Sequence, residues 1–268
     1  MVIGTSLAWR TLLDKVKKVA PSNAPVLIQG ETGSGKELVA RTLHKLGPRR
    51  DAPFLAINCG KVSGRQLESE LFGHEVGAST SGVTSNSGLI ATAEGGTLFL
   101  EEVSEINGPM QVSLLRVLDR GEYSQVGGAQ TLRANVRFIG ASNRDLQELV
   151  FSGRFRDDLL YRINTVTLRV PPLRERPEDI PLLAEHLLRS LRRPGTPPRS
   201  FSKEALNRLI SYPWPGNVRE LRNVVERLIL VSLPSRSGPI DIEELVVVFR
   251  SHYAQSDYKT FPSNSPKW

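Results

Sequence analysis

The sequence predicts an α/β fold, a parallel five-stranded sheet flanked by helices, followed by a small all-α subdomain. Three observations carry this reading. Short apolar runs alternate with amphipathic stretches through residues 1–171, as a layered α/β domain requires. Strand signals stop at Pro171-Pro172, and only helical patterns follow.

The strand candidates are 25–29, 54–58, 97–101, 136–141 and 166–170. Each is short, rich in β-branched or aromatic residues, and bounded by polar or glycine-rich segments, the pattern of strands buried on both faces. Helices are expected between them. Beyond the prolines, helical segments are expected at 181–192, 203–211 and 218–231. The last opens at Asn217 with Glu220 three positions on, a capping-box arrangement, and places Leu221, Val224, Val225, Leu228 and Ile229 on one face. Residues 193–198 read as a loop between helices, and the polar tail 251–268 as disordered. The expected organisation is therefore an α/β subdomain over 1–171, a helical subdomain over 172–250 and the tail.

Composition narrows the class. With 39% hydrophobic and 24% charged residues, the chain can build a core and is not disordered throughout. No apolar stretch approaches the length of a membrane span, and the first residues mix Lys, Asp and apolar side chains at helical spacing, so a cytoplasmic location with no membrane contact is expected. The lone Cys59 excludes an internal disulfide and has no ligand-spaced partner for zinc. A net charge of +7 fits a solvated basic face or contact with phosphates or nucleic acid.

The strongest chemical motif is Gly30-Glu31-Thr32-Gly33-Ser34-Gly35-Lys36-Glu37, placed between an apolar strand and a helical run. Glycines let backbone N–H groups fold around phosphates, the helix N-terminus adds its dipole, and Lys36 reaches toward the β and γ phosphates. This arrangement calls for ATP with Mg2+. Glu37 stands where a Ser or Thr hydroxyl normally ligates the metal, so other acids must contribute. Glu101 and Glu102 end the apolar run 97–102. Glu101 is the expected Mg2+ ligand, through water, and Glu102 the residue that orients the attacking water.

Four stretches now carry a family resemblance. Residues 70–75 (ELFGHE), 95–100 (GGTLFL), 173–176 (LRER) and 214–221 (WPGNVREL) resemble signature segments of the AAA+ ATPase module of sigma-54 transcription activators, from about Ile3 to Phe249. The resemblance implies further roles. Asn58 matches the asparagine that couples nucleotide state to substrate-contacting loops through Glu102; Asn143 matches the first sensor and Arg219 the second. Arg156 and Arg162 match arginines donated across the subunit interface. A ring is then implied, a hexamer of identical subunits or one shared with a related paralogue. For Arg156, local ion pairing within Arg154-Phe155-Arg156-Asp157-Asp158 stays open, as does a simple turn role for Asn143.

Two stretches depart from the family's pattern. The loop GAFTGA, which engages the sigma factor, is here Gly77-Ala78-Ser79-Thr80-Ser81-Gly82. Thr80 is kept, but Ser79 replaces the apolar anchor. Glu101 replaces an Asp, and its extra methylene either displaces the metal and slows hydrolysis or is absorbed by the backbone or a water. The readings carried forward are an ATP-hydrolysing activator that remodels sigma-54 RNA polymerase, and an ATP-binding regulator of the same family that does not engage sigma-54. An unrelated AAA+ remodeller is a third, opposed by residues 214–221. DNA contact is expected only through a domain or partner outside this chain.

Overall fold

The computed structural model describes residues 2–75, 86–192, 194–231 and 238–254. Two compact units are formed, Ala8–Pro172, and the described residues of Met1–Leu7 with Leu173–Trp268.

In the larger unit the strands are β1 (Val26–Gln29), β2 (Phe54–Asn58), β3 (Thr97–Glu101), β4 (Glu122–Tyr123), β5 (Leu132–Arg133), β6 (Arg137–Ser142) and β7 (Val166–Arg169). Its helices are α1 (Leu7–Val19), α2 (Lys36–Leu46), α3 (Gly64–Phe72), α4 (Gly88–Thr92), α5 (Gly108–Arg120), α6 (Leu146–Phe151) and α7 (Asp157–Ile163). Five strands form one parallel sheet in the order β2-β3-β6-β1-β7, as expected. The short β4–β5 hairpin is antiparallel and stands apart from it.

The period of two that governs strand side chains divides the apolar residues between the two faces of the sheet. Leu27, Leu98, Leu100 and Phe138 join one cluster with Leu67 and Leu71 of α3, Leu114 of α5 and Leu159 of α7. Val26, Ile28, Phe99 and Ile139 join the other with Trp9, Leu12 and Val16 of α1 and Val39 and Leu43 of α2. Burial on both faces explains why these strands read as nearly unbroken apolar runs. All carboxyl ends of the parallel strands lie on one edge. The chain leaves β1 toward one side of the sheet and returns on the other at β7, so the crevice at that edge opens around β1 and β6.

The smaller unit comprises α8 (Asp179–Ser190), α9 (Lys203–Ser211), α10 (Asn217–Val231) and α11 (Ile242–Ala254). They pack around Trp214, Leu221, Val224, Val225, Leu228, Leu245 and Val248, with Ile229 partly buried beside them. Trp214 is fully buried with φ of 50°, and its indole N–H donates to the Leu209 carbonyl at 2.7 Å. The first residues are clasped by Asp179, which accepts from Thr5 N–H, Ser6 N–H and Ser6 Oγ at 2.6–2.8 Å.

Two local expectations change here. Glu220 reaches back to the Gly216 N–H at 2.8 Å, while the Asn217 side-chain oxygen accepts from the Leu173 N–H at 2.7 Å. With φ of 53° at Asn217, the box closes one residue earlier than its spacing suggests. Residues 251–254, expected in the polar tail, form the last turn of α11, because Leu245 and Val248 anchor that helix in the core. Residues 255–268 of the expected tail lie outside the described residues. Among the described residues no helix is long and apolar enough to cross a membrane.

Candidate functional site

The loop 30–35 leaves the carboxyl end of β1 and opens α2. Gly35 caps that helix with φ of 108°, a conformation that a side chain resists. At Gly30 the constraint is space: a Cβ would stand 3.0 Å from both Ser34 Oγ and the Val170 carbonyl oxygen. Gly33, with φ of 76°, lies between them in the turn. The Lys36 ammonium reaches across the loop to the carbonyls of Gly30 at 2.7 Å and Glu31 at 3.2 Å. It thereby braces the curve that brings N–H groups inward beside the N-terminus of α2, a geometry suited to anions. Glu37 faces away from this role. Its carboxylate pairs with Arg41 one turn on, with N–O distances of 2.8 Å to Nε and Nη2, and Arg41 in turn lies over the Phe54 ring.

Neighbouring strands bring their ends to this loop. The Gly30 N–H donates to the Ser142 carbonyl of β6 at 3.2 Å. Asn143, directly after β6, donates from Nδ2 to Thr32 Oγ1 at 3.2 Å, so the expected sensor touches the loop itself. The turn behind it is held by Ser142 Oγ, which accepts from the Arg144 N–H.

Glu101 ends β3, next to β6 in the sheet. Its Cα partner across β2–β3 is Asn58, whose Nδ2 donates to Glu101 Oε2 at 3.2 Å. Asn58 thus meets Glu101 and not Glu102, the acid through which the family resemblance couples it. The parallel register sets Asn58 beside Glu101, and Glu102 leaves the strand with φ of 56° and ψ of 50°. The Asn58 amide is held from its other end by the Gly60 N–H at 3.0 Å. A left-handed conformation at a non-glycine residue costs roughly 1–3 kcal/mol and persists where the surroundings enforce it. Both carboxylates register on Cys59: burial first, then the charges of Glu101 and Glu102, push its thiol up to about 12.

Oxygen donors of this kind suit Mg2+. Among the described residues no group of three or more His, Cys, Asp or Glu could hold a metal; Glu101, an oxygen donor at the end of β3, suits an ion that arrives with phosphate oxygens as co-ligands.

Arg156, the cap of α7, and Arg162, in its last turn, are exposed, away from the loop in sequence and each ion-paired within the chain. Arg156 forms a two-point pair with Asp158, at 2.9 and 2.7 Å. Arg162 pairs with Asp119 of α5. The short-range pair was foreshadowed by the spacing of residues 154–158; Asp119 carried no sequence signal, since only packing of α5 on α7 brings it near. Arg219 lies on α10 of the helical unit and is exposed. Gly77, Ala78, Ser79, Thr80, Ser81 and Gly82 fall outside the described residues. On either side of them the chain is pinned: His74 and Asn86 exchange backbone hydrogen bonds at 2.9 and 3.2 Å, and Val126 N–H donates to the Gly73 carbonyl at 2.9 Å.

A phosphate-type loop on β1, acids on β3 and a polar side chain after β6, joined to a helical lid unit, define a P-loop NTPase of the AAA+ class. The chain belongs to the sigma-54 interaction domain family, matched over residues 2–169, with the AAA+ ATPase lid domain matched over 174–261. It is 48% identical to the Nif-specific regulatory protein of Azotobacter vinelandii over 232 residues, covering 87% of this chain and 44% of that protein. It is also 48% identical to the transcriptional regulatory protein ZraR of Salmonella typhimurium over 231 residues, 86% of this chain and 52% of the relative. The chain thus spans about half the length of these curated relatives. A solved structure of NtrX from Brucella abortus in complex with ATP superposes with a TM-score of 0.84 at 32% identity, covering 99% of this chain and 58% of that one.

Proposed function

We propose that this chain binds ATP with Mg2+ and hydrolyses it to ADP and phosphate within a ring of its own copies, a hexamer. The ring couples hydrolysis to remodelling of the sigma-54 RNA polymerase holoenzyme. The observation that carries the reading is the contact between Thr32 of the loop and Asn143, with the Glu101–Asn58 pair at the end of the next strand. Loop, sensor and acids sit on adjacent strands at one edge of the sheet, where one nucleotide could touch all three. The ATP complex of NtrX, a relative in fold and sequence, supports the same reading.

In this proposal the loop N–H groups and Lys36 hold the phosphates, and Glu101 contributes to the metal site. Bound Mg2+ would supply charge neutralisation of the phosphate oxygens. Glu102 orients the attacking water and accepts its proton, Asn143 responds to the γ-phosphate, and Arg219 acts as the second sensor. Arg156 and Arg162 stabilise charge in a neighbour's site, which requires each to exchange its carboxylate partner for phosphate oxygen.

Binding to sigma-54 in the presence of a transition-state ATP analogue tests the partner, with wild type and Ser79→Phe compared side by side. Capture by wild type is expected. Capture by the variant alone would replace remodelling with an ATP-binding regulatory role, and absence of any nucleotide binding would remove both.

A further inference from the structure

Gln111 is a polar residue on the apolar face of α5, between Met110 and Leu114, and it is only 2% exposed. A buried amide must satisfy its donors and its acceptor inside the protein. Gln111 does so with three backbone groups. Its Nε2 donates to the Ile106 carbonyl at 2.8 Å and to the Arg154 carbonyl at 3.1 Å, and its Oε1 accepts from the Arg156 N–H at 2.8 Å. Two carbonyls demand the NH2 and one N–H demands the oxygen, so the partners themselves set the orientation of the amide.

The groups it joins belong to two different parts of the proposed machinery. Ile106 closes the turn that starts at Glu102: Glu105 N–H donates to the Glu102 carbonyl at 2.9 Å and Ile106 N–H to the Val103 carbonyl at 3.3 Å. Arg156 is the residue that caps α7. Its guanidinium is held at the tip by Asp158 and its backbone at the root by Gln111. One amide thus joins the turn that starts at Glu102 to the backbone that carries Arg156.

We infer that Gln111 is a positioning residue that ties the acid-bearing turn of one subunit's nucleotide site to the arginine which that subunit offers to its neighbour. The inference rests on the proposed role of Arg156 in trans. It links successive sites through a buried hydrogen-bond bridge inside each subunit, without requiring a contact between the two nucleotides. Rate is sensitive to such placement, because a displacement of about 1 Å can cost on the order of a hundredfold.

The test uses the full chain under conditions where it assembles. Q111L is expected to lower kcat by about ten- to a hundredfold, with KM and the affinity for a fluorescent ATP analogue unchanged. The double variant Q111L/R156A should be no slower than R156A alone. The decisive readout is a mixed assembly. K36A subunits lack a working site of their own but still offer Arg156, so K36A/Q111L subunits added to wild type should suppress its turnover more than K36A subunits do. Melting temperature and assembly are followed for each variant. Q111M, closer in shape to the native side chain and likewise without the amide, is measured beside Q111L and should lower kcat as Q111L does, so that the inference can be judged even where Q111L folds poorly. Equal suppression by the two K36A preparations, or full additivity of Q111L with R156A, overturns the inference. An R156A variant with undiminished kcat instead removes the trans role on which it stands, and the inference with it.

Discussion

Arg156 and Asp158 meet in a two-point ion pair within one chain, Nε to Oδ1 at 2.9 Å and Nη2 to Oδ2 at 2.7 Å. The pairing raises the Arg156 pKa and lowers that of Asp158, in each case through their shared hydrogen bonds first. An arginine so engaged must leave its carboxylate before it can serve a phosphate elsewhere. Both side chains are about half exposed, so water and salt weaken the pair and its loss should barely change folding stability. Asp158→Asn is expected to leave the melting temperature in place and to raise kcat, more at low salt than at high. Arg156→Ala should lower kcat by about 10³-fold, the scale of an arginine acting in trans on phosphoryl transfer. Steady-state ATPase rates over a salt series check both, and a slower Asp158→Asn enzyme would show that the aspartate orients the arginine instead of restraining it.

The pairing of Asn58 with Glu101 bears on the acid that departs from the family's pattern. Glu101 can meet the amide because its side chain is long enough to cross from β3 to β2. Shortening it should release that hydrogen bond and bring the carboxylate back toward the strand end. Glu101→Asp is expected to raise kcat and to lower the Mg2+ concentration needed for half-maximal rate. Asn58→Ala should also free the carboxylate but leave its length unchanged, so it should improve Mg2+ dependence less. Magnesium titrations of ATP turnover in the three proteins decide the matter. A fall in kcat for Glu101→Asp would mean that the longer acid and Asn58 are matched to one another.

The sheet was legible because its central strands are covered on both faces: Thr97–Glu101 is an apolar run with polar boundaries, and its limits, like those of the edge strand Phe54–Asn58, coincide with those read from sequence. The β4–β5 hairpin has only two residues per strand, too few to display a period. Helix α11 was not anticipated, since residues 242–249 place apolar side chains on nearly all sides and mask the helical spacing. Within the site, contiguous motifs were readable and cross-chain partnerships were not. Whether Asn58 meets Glu101 or Glu102 depends on strand register, and Asp119 reaches Arg162 only after α5 packs on α7. Gln111 did leave a trace, a lone amide on the apolar stripe of Met110, Leu114 and Val117.

Cys59 offers a test of the local electrostatics near the two acids. Its thiol is 3% exposed, and burial together with Glu101 and Glu102 raises it from the ordinary 9.0 to about 12. Three pH units reduce the thiolate, the reactive form, about a thousandfold near neutral pH. Alkylation of the native protein by iodoacetamide should therefore be slower than that of the unfolded chain by at least that factor. Mass spectrometry of timed reactions measures it. Native labelling at the unfolded rate would place the thiol in water and undo the account of this corner of the site.

A last prediction concerns acid sensitivity. His44 is buried on α2 with its Nδ1 3.0 Å from Thr97 Oγ1, beneath the tilted ring of Phe54. Burial lowers its pKa below 6.5, and the Arg137 guanidinium lowers it further; Arg41 acts the same way, while backbone contacts at Ala52 and Arg50 oppose them. In the unfolded chain the imidazole takes up its proton near the ordinary value. As pH falls through that value the unfolded state binds more protons than the folded one, so stability is whole above about 6.5 and declines below it. His44→Gln keeps a group able to hydrogen-bond with Thr97 but cannot be charged. Its melting temperature should be somewhat lower than wild type near neutrality and should fall less between roughly pH 7.5 and 5.5. Parallel pH profiles for the two proteins would show that His44 is not the group whose protonation drives the loss, and would shift attention to the carboxylates.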